Sequence, residues 1–264
     1  MQDLTVTLIQ SGIVSEDPAA NRTHFAQKID AVKNATDLII LPELFTTGFP
    51  VDPHKHAEEI DGDSMQFLLQ KAAEKNCAMA CSMILKHEQN FTNEFLWVNP
   101  DGTFETYSKR HVFHLGEESE FITPGRNKLI LQYKDWRISP MVCYDLRFPV
   151  WSKNKYRDGR FDYDLLIYVA NWPEVRSRPW KQLLVARAIE NQSYVIGLNR
   201  IGTDKNGDNY SGDSMVIDPE GNLLLQGEEN KECTKTLSLS ASAMNEYRKQ
   251  FNVGPDWDDF EIRI

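Results

Sequence analysis

The segment WRISPMVCYDLRFPVW, residues 136–151, combines an apolar run, a cysteine and a proline in an order that predicts a strand followed by a helix. Residues 136–142 predict a buried strand, and Pro149 is typical of the first turn of a helix. We expect the Cys143 thiol at this turn to be exposed at the sheet edge, near helix-terminal N–H groups that stabilise a thiolate. This placement predicts a nucleophile, whereas an isolated cysteine is more often a small buried hydrophobe.

Strand and helix patterns alternate along the rest of the chain, which predicts an α/β fold. The predicted strands are residues 4–9, 37–41, 77–85, 94–98, 104–107, 136–142, 165–170, 193–199, 213–217, 222–225 and 234–239. The predicted helices are one that begins at Asp17-Pro18 and residues 64–75, 179–191 and 241–251. Asn206-Gly207 predicts a hairpin turn. Because no linker interrupts the pattern, we expect one domain over residues 1–264, with sheets covered by helices.

Composition excludes several classes of protein. The chain has 264 residues, of which 41% are apolar and 26% charged, as is typical of a globular protein. The net charge of −10 argues against a nucleic-acid-binding surface. No run approaches ~18 consecutive apolar residues, so we expect no membrane-spanning helix, and the N-terminal residues lack the features of a signal peptide.

The cysteines are too few and too scattered for a disulfide framework. With no export signal, we expect Cys77, Cys81, Cys143 and Cys233 to be reduced thiols in a cytoplasmic protein. Cys77 and Cys81 lie in the apolar run CAMACSMIL at a spacing that does not fit a zinc site. We interpret these two cysteines as core residues.

Three polar residues follow predicted strands, at the strand ends where α/β sheets gather catalytic groups. Glu43 follows the predicted strand DLIIL through Pro42, within LPELF. Lys109 follows the predicted strand FETY, and Cys143 follows WRISPMV. A glutamate or a lysine in such a place is, alone, most often a solvated loop residue. The three equivalent positions together predict a catalytic site.

Histidines do not supply an obvious partner for Cys143. All six precede it, which excludes the papain-like order of nucleophile and base; they are His24, His54, His56, His87, His111 and His114. His111 and His114 follow Lys109 closely enough to line a pocket, although partly buried loop histidines are more usual. They have no evident third metal ligand, apart from the nearby Glu117 and Glu118, so we expect neither a metal nor a cofactor.

Three segments identify a family. LPELFTTGF, YSKRHVFHLGEE and MVCYDLRFPVW resemble, in order and spacing, the Glu, Lys and Cys motifs of the nitrilase superfamily of carbon–nitrogen hydrolases. The resemblance includes the PG element Thr123-Pro124-Gly125 and ARAIENQSYVIGLNR, and so covers nearly the whole chain. CYDLRFPVW and YVANWPEVRSRPWKQLLVARAIENQ are most similar to the bacterial omega-amidase branch, whose substrates are omega-amides of dicarboxylic acids such as 2-oxoglutaramate.

The resemblance implies a fold and a mechanism. The fold is a four-layer α-β-β-α sandwich in which two six-stranded sheets face each other. Cys143 attacks the amide carbonyl to form a thioester, and Glu43 transfers protons. Lys109 and the backbone N–H of Tyr144 stabilise the oxyanion. The family often has an accessory glutamate, and among Glu117, Glu118 and Glu120 we favour Glu118 by its distance from the PG element.

The remaining site residues concern the substrate. A substrate carboxylate requires a cation, and the candidates are Arg147, Arg176, Arg178 and Lys181. Arg147 has the alternative of bracing its own loop through Asp145 or Glu43. The turn formed by Asn171, Trp172 and Pro173 supplies an apolar wall, to which Phe113 and Phe148 add aromatic surface. By resemblance we expect a small amide substrate and a homodimer or larger homo-oligomer, with the tail DWDDFEIRI packing across a partner.

Other reactions remain open. A nitrilase, an N-carbamoyl amine hydrolase and an amidase for deaminated glutathione use the same Glu, Lys and Cys. A catalytically idle oligomeric binding protein with the same fold is a further alternative.

Overall fold

The computed structural model describes residues 1–49, 51–88, 90–116 and 118–263, so Glu117 lies outside the described residues. In chain order, the strands are β1 (Leu4–Gln10), β2 (Leu38–Ile40), β3 (Ala78–His87), β4 (Asn90–Val98), β5 (Phe104–Ser108), β6 (Leu131–Tyr133), β7 (Trp136–Val142), β8 (Tyr156–Arg157), β9 (Arg160–Phe161), β10 (Leu165–Ala170), β11 (Tyr194–Asn199), β12 (Ile201–Thr203), β13 (Asn209–Ser211), β14 (Met215–Ile217), β15 (Leu223–Gln226) and β16 (Cys233–Leu239). The α-helices are α1 (Pro18–Asp30), α2 (Pro53–His56), α3 (Asp63–Lys75), α4 (Glu118–Phe121), α5 (Pro149–Ser152), α6 (Ser177–Asn191) and α7 (Ala241–Gln250).

Two large sheets form the centre of the protein, and within the described ranges each has six strands. The first has the order β16-β1-β2-β3-β4-β5 and the second β15-β14-β11-β10-β7-β6. The inner strands β1, β2 and β3 run parallel, as do β7, β10 and β11, while the outer strands are antiparallel. Because the inner strands are parallel, several strands of each sheet end at the same edge.

Helices cover the outer faces of both sheets. Phe25 of α1 and Leu68 of α3 share a buried cluster with Ile39 and Met79 of the first sheet. The inward faces of the two sheets share another cluster, to which α6 also contributes. α6 packs closely on β11, since a Cβ atom at Gly197 would lie 2.4 Å from the Leu184 side chain. The predicted α-β-β-α sandwich is confirmed.

Most local predictions agree with the structure to within a few residues. The Asp17 side chain accepts a hydrogen bond from the N–H of Ala20 at the start of α1. Asn206-Gly207 lies in the hairpin between β12 and β13. The strand predicted over residues 213–217 begins later, at Met215, because Asp213 has a φ of 58°, a left-handed conformation that does not fit a strand.

The C-terminal tail contacts its own chain. The Trp257 ring packs edge-on against Phe161, and the Lys153 ammonium lies 3.2 Å from its centroid. The tail residue Ile262 packs against the cluster between the sheets. Within the described ranges, no helix combines the length and apolar character needed to cross a membrane.

Candidate active site

Glu43, Lys109 and Cys143 lie together where the two sheets meet. Glu43 follows β2 and Lys109 follows β5 in the first sheet, and Cys143 follows β7 in the second. The Lys109 Nζ atom lies 2.9 Å from Glu43 Oε1, and each of these two residues is only 2% exposed. The fold therefore brings a buried carboxylate, a buried ammonium and a thiol to one place.

The Glu43 carboxylate receives hydrogen bonds from several donors. Oε1 accepts from Lys109 Nζ and from Asn93 Nδ2, each at 2.9 Å, and Oε2 accepts from the backbone N–H of Asn171 at 2.7 Å. The Cys143 thiol donates a 3.8 Å hydrogen bond to the Asn171 carbonyl, and the charge of Glu43 helps to raise the pKa of the thiol. Asn171 Nδ2 donates in turn to the Glu43 carbonyl at 2.7 Å. Because Asn171 follows β10, these bonds join the two sheets at the site.

Glu118 is the second carboxylate partner of Lys109. Its Oε1 and Oε2 atoms accept hydrogen bonds from Lys109 Nζ at 3.0 and 2.9 Å, and Oε2 also accepts from the N–H of Phe113 at 2.6 Å. Glu120 is exposed. Burial alone would lower the pKa of Lys109, but the charges of Glu118 and Glu43 raise it above its ordinary value. Lys109 is therefore an ammonium ion over the whole physiological pH range.

The PG element positions Lys109. The N–H of Gly125 donates to the Lys109 carbonyl at 2.9 Å. A Cβ atom at Gly125 would lie 2.1 Å from the Ser108 carbonyl oxygen, so only glycine permits this close approach.

Cys143 occupies a strained turn. Its φ is +44°, a left-handed conformation that costs a non-glycine residue about 1–3 kcal/mol and that occurs often at active sites. The chain forms a short 3₁₀ turn over Cys143–Arg147, and Pro149 then begins α5 as the sequence predicts. The rest of the fold holds the strained residue in place.

The expectation of an exposed, easily ionised thiol is wrong. Cys143 is 9% exposed, and burial raises its pKa well above the ordinary value. The charges of Glu43 and Glu118 raise it further, and the opposing charge of Lys109 does not offset them. The resting thiol is therefore protonated, and its proton must pass to a base when it reacts.

A cavity of about 850 Å³ opens beside the thiol. Many of the residues that the sequence predicts for the site line it, namely Glu43, Lys109, Phe113, Glu118, Cys143, Tyr144, Arg147, Asn171 and Trp172. Phe148 and His114, which were also expected there, are not among the lining residues. His111 lies outside this lining, since its ring stacks on Phe148 with centroids 3.8 Å apart and its Nδ1 contacts Asp145.

Two arginines face the cavity. The Arg147 guanidinium lies 5.0 Å from the Trp172 ring centroid, and that of Arg176 lies 5.5 Å from the Phe113 centroid. The alternative in which Arg147 braces the loop through a carboxylate is wrong, because Asp145 pairs with His111 and Glu43 pairs with Lys109. The other two candidate cations, Arg178 and Lys181, are not among the residues that line the cavity.

The two excluded cations have different surroundings. Arg178 is exposed, and Lys181 forms a 3.1 Å ion pair with Asp213. Arg147 and Arg176 therefore remain as the candidates for binding an anionic group of a substrate.

Sequence reasoning missed three contributors to the site. Asn93 is buried in the middle of β4 and donates to both Glu43 and Glu118. Asp145 is buried beneath the Cys143 turn, and His54 lines the cavity from α2. Asn93 is a polar residue inside the largely apolar strand FTNEFLWV, a signal that could have identified it, but it does not lie at a strand end.

No metal centre is evident among the described residues, where no group of three or more His, Cys, Asp or Glu side chains is placed to hold a metal ion.

The chain is similar over most of its length to known proteins. The family model for carbon-nitrogen hydrolase matches residues 5–249. The omega-amidase YafV of Escherichia coli (strain K12) is 42% identical over 262 residues, which cover 99% of this chain and all of that protein. The 2-oxoglutaramate amidase of Bacillus subtilis (strain 168) is 30% identical over 226 residues, which cover 84% of this chain and 86% of that protein.

A solved structure has nearly the same fold. XC1258 from Xanthomonas campestris, described as a CN-hydrolase superfamily protein with an arsenic adduct in its active site, superposes with a TM-score of 0.97. The two chains are 40% identical, and each is covered completely.

Proposed function

This chain is an amide-hydrolysing enzyme of the carbon–nitrogen hydrolase family, and we propose that its substrates are omega-amides of small dicarboxylic acid monoamides, of which 2-oxoglutaramate is the type. One observation supports this proposal above all. A buried thiol, that of Cys143, lines the same cavity as the Glu43 carboxylate and two arginines, Arg147 and Arg176. Such a cavity can bind an amide at one end and a carboxylate at the other.

The first half of the proposed reaction forms a thioester. The Cys143 thiol passes its proton to Glu43 as Sγ bonds to the amide carbon, which gives a tetrahedral oxyanion. Lys109 and the backbone N–H of Tyr144 stabilise that oxyanion. Glu43 then gives the proton to the amide nitrogen, the carbon–nitrogen bond breaks, and ammonia leaves. The raised pKa of Cys143 supports this sequence, because a protonated thiol needs a base to take its proton, and Glu43 lines the same cavity.

The second half releases the acid. Glu43 takes a proton from a water molecule as the water oxygen bonds to the thioester carbon. The carbon–sulfur bond then breaks, and the departing sulfur takes the proton back from Glu43. The sum is one amide and one water converted into one carboxylic acid and one ammonia, with the protein unchanged.

The proposed carboxylate contact supplies specificity. A guanidinium forms paired, charge-assisted hydrogen bonds with a carboxylate. Arg147 is braced on the Trp172 face and Arg176 on the Phe113 face, so both are oriented before a substrate binds. An omega-amide that lacks the distal carboxylate would lose this contact.

The test is ammonia release from 2-oxoglutaramate by the wild-type protein and by Cys143→Ala. We expect release by the wild type and none by the variant. Release from a nitrile, an N-carbamoyl amine or deaminated glutathione, with none from 2-oxoglutaramate, would keep the chemistry and reject the substrate. Release by Cys143→Ala would reject the thioester.

A second comparison tests the arginines. We expect Arg147→Met to raise KM for 2-oxoglutaramate about tenfold or more, the usual effect of losing a charged hydrogen bond. KM for an uncharged amide of similar length should change little. Arg178→Met, which removes an exposed arginine outside the cavity lining, is the matched control.

We also propose that the chain forms a homodimer or a larger homo-oligomer. Ile189 on α6 and Leu223 and Leu224 on the edge strand β15 are exposed apolar side chains, which supports an interface there. Sedimentation that finds only monomer at micromolar concentration would refute this.

Residues 1–264 are further proposed to act as one domain in the cytoplasm. The cluster between the sheets joins strands from both halves of the chain, and the four cysteines are free thiols. A single cooperative unfolding transition and fractionation of the native cell would test the two parts.

A further inference from the structure

Asn93 contacts both carboxylates of the site without lining its cavity. It lies in the middle of β4 and is fully buried. Its Nδ2 atom donates to Glu43 Oε1 at 2.9 Å and to Glu118 Oε1 at 3.2 Å. An amide nitrogen has two hydrogens, so each carboxylate receives one of them. Asn93 therefore connects Glu43 to Glu118 directly, beside the contact that Lys109 makes with both.

The charges at the site explain the need for such a donor. Two glutamates, Glu43 and Glu118, both contact a single cation, the Lys109 ammonium. Two buried carboxylates that share one cation repel each other, and hydrogen bonds to the ionised form relieve that repulsion. The amide of Asn93 does so without adding a second cation, which would lower the pKa of Cys143.

The orientation of Asn93 is set by the sheet. Its carbonyl accepts a hydrogen bond from the Lys109 N–H at 2.9 Å, and its neighbours in the ladder are Ile84 on one side and the β5 end on the other. The strand positions the amide, and the amide in turn positions Glu43. Glu43 Oε2 is then left to accept from the N–H of Asn171, whose carbonyl accepts a 3.8 Å hydrogen bond from the Cys143 thiol.

Stability alone does not account for an asparagine here. Among the described residues, no donor contacts the buried Asn93 Oδ1 atom. An unpaired buried acceptor destabilises the folded state, so an apolar residue of similar volume would avoid this cost. The contacts of Nδ2 with the two carboxylates are the gain that offsets it.

We propose that Asn93 is a positioning residue, which holds the Glu43 and Glu118 side chains in place so that Glu43 can accept the Cys143 proton. The inference rests on the proposed role of Glu43 as the base. A hydrogen-bond donor favours the ionised form of a carboxylate, so the inference predicts that, without this donor, proton acceptance from the thiol fails at a higher pH than in the wild type.

The experiment measures the rate at which iodoacetamide alkylates Cys143 between pH 5 and 8, followed by mass spectrometry of the peptide that contains it. Alkylation needs the thiol proton to leave but does not need an amide to be hydrolysed. For Asn93→Leu we expect the acid limb of the rate profile to move up by about 1 pH unit, so that the rate falls about tenfold on the low-pH side of the limb and changes little above it.

Two further variants sharpen the comparison. Asn93→Asp keeps the shape, and its carboxyl group donates a hydrogen bond only when protonated, so its rate relative to Asn93→Leu should rise as pH falls. Asn191→Leu is the matched control, since Asn191 is also fully buried and makes 2.8 Å hydrogen bonds with Asn154 and Arg187, away from the cavity. Its acid limb should stay at the wild-type pH.

The outcomes separate a positioning role from a structural one. An acid limb that stays in place in folded Asn93→Leu and Asn93→Asp would overturn the inference, whatever the loss in active protein. If the limb moves but the wild type releases no ammonia from any amide, then the inference holds and the proposed function fails.

Discussion

The backbone N–H of Val142 donates a 3.0 Å hydrogen bond to Oδ2 of Asp145, across the turn that contains Cys143. The same buried carboxylate accepts hydrogen bonds from the Tyr107 hydroxyl and from the N–H and Nδ1 of His111. These contacts connect the Cys143 turn in the second sheet to the segment around Lys109 in the first.

Asp145→Asn should therefore destabilise the protein strongly. The amide would bring two donors to a place where the surrounding groups donate already, and each buried unpaired group costs about 1–3 kcal/mol. We expect the free energy of unfolding to fall by about 2–4 kcal/mol in urea titrations. Asp258→Asn, at an exposed tail position, is the control. Equal unfolding midpoints for Asp145→Asn and the wild type would contradict this role.

Replacing Cys143 by glycine should stabilise the protein relative to replacing it by alanine. The φ of +44° suits glycine but strains alanine. We expect neither variant to release ammonia, and Cys143→Gly to exceed Cys143→Ala in free energy of unfolding by up to about 1 kcal/mol. Ala80→Gly, within β3, is the control and should lower the free energy of unfolding, since glycine weakens an ordinary strand. If Cys143→Gly is the less stable of the pair, the strain is absent.

Glu118→Gln should lower the pKa of Cys143. The negative charge of Glu118 contributes to raising that pKa, so its removal makes the thiolate easier to form. We expect the alkaline limb of Cys143 alkylation to move to lower pH, and kcat for ammonia release to fall at least about tenfold because Lys109 loses a partner. Glu120 is exposed, and Glu120→Gln should change neither the alkaline limb of Cys143 alkylation nor kcat for ammonia release. Equal effects of the two substitutions would mean that Glu118 is not the accessory glutamate.

Glu232 should make stability depend on pH. Burial opposes its ionisation, but hydrogen bonds from Lys28, Ser11 and the N–H of Gly12 lower the pKa of Glu232 to about 2, from an ordinary value of 4.5. Because the folded value is the lower one, the stabilisation is complete above pH 4.5 and is lost as pH falls towards 2.

The measurement compares Glu232→Gln with the wild type in urea. The Glu232 side chain is 40% exposed, so solvent screening limits the loss at pH 7 to about 1 kcal/mol. The difference in free energy of unfolding between Glu232→Gln and the wild type should become smaller as pH falls from 4.5. Glu229→Gln, an exposed neighbour, should show no such trend. A difference that stays constant down to pH 3 would rule out this ion pair as its source.

Much of the fold follows from local patterns. The apolar runs predict β7 and β10 with the observed bounds, and Asp17 and Pro18 mark the start of α1. These features depend on neighbouring residues alone, through side-chain periodicity and capping hydrogen bonds. Strand pairing and the stacking of the sheets were predicted only by family resemblance, because periodicity does not specify which strands are neighbours.

The burial of the Cys143 thiol could not be predicted in the same way. A strand end is exposed in an isolated sheet, but here the segments after β2, β5 and β10 close over it. The N–H groups at the turn predict a lowered pKa for Cys143. In the folded protein this pKa is raised instead, because burial and the charges of two carboxylates act on the thiol together.

The sequence by itself determined the residues with reactive groups, since Glu43, Lys109 and Cys143 stand at recognisable strand ends in recognisable motifs. Only the tertiary structure decided the raised pKa of Cys143 and the buried hydrogen-bond partners that hold the three residues in place. Asn93 and Asp145 belong to the site because strand register and sheet packing place their side chains against carboxylates and N–H groups distant in the chain. Hydrogen bonds and charges act over a few ångströms of space, and local sequence does not specify which residues come within that distance.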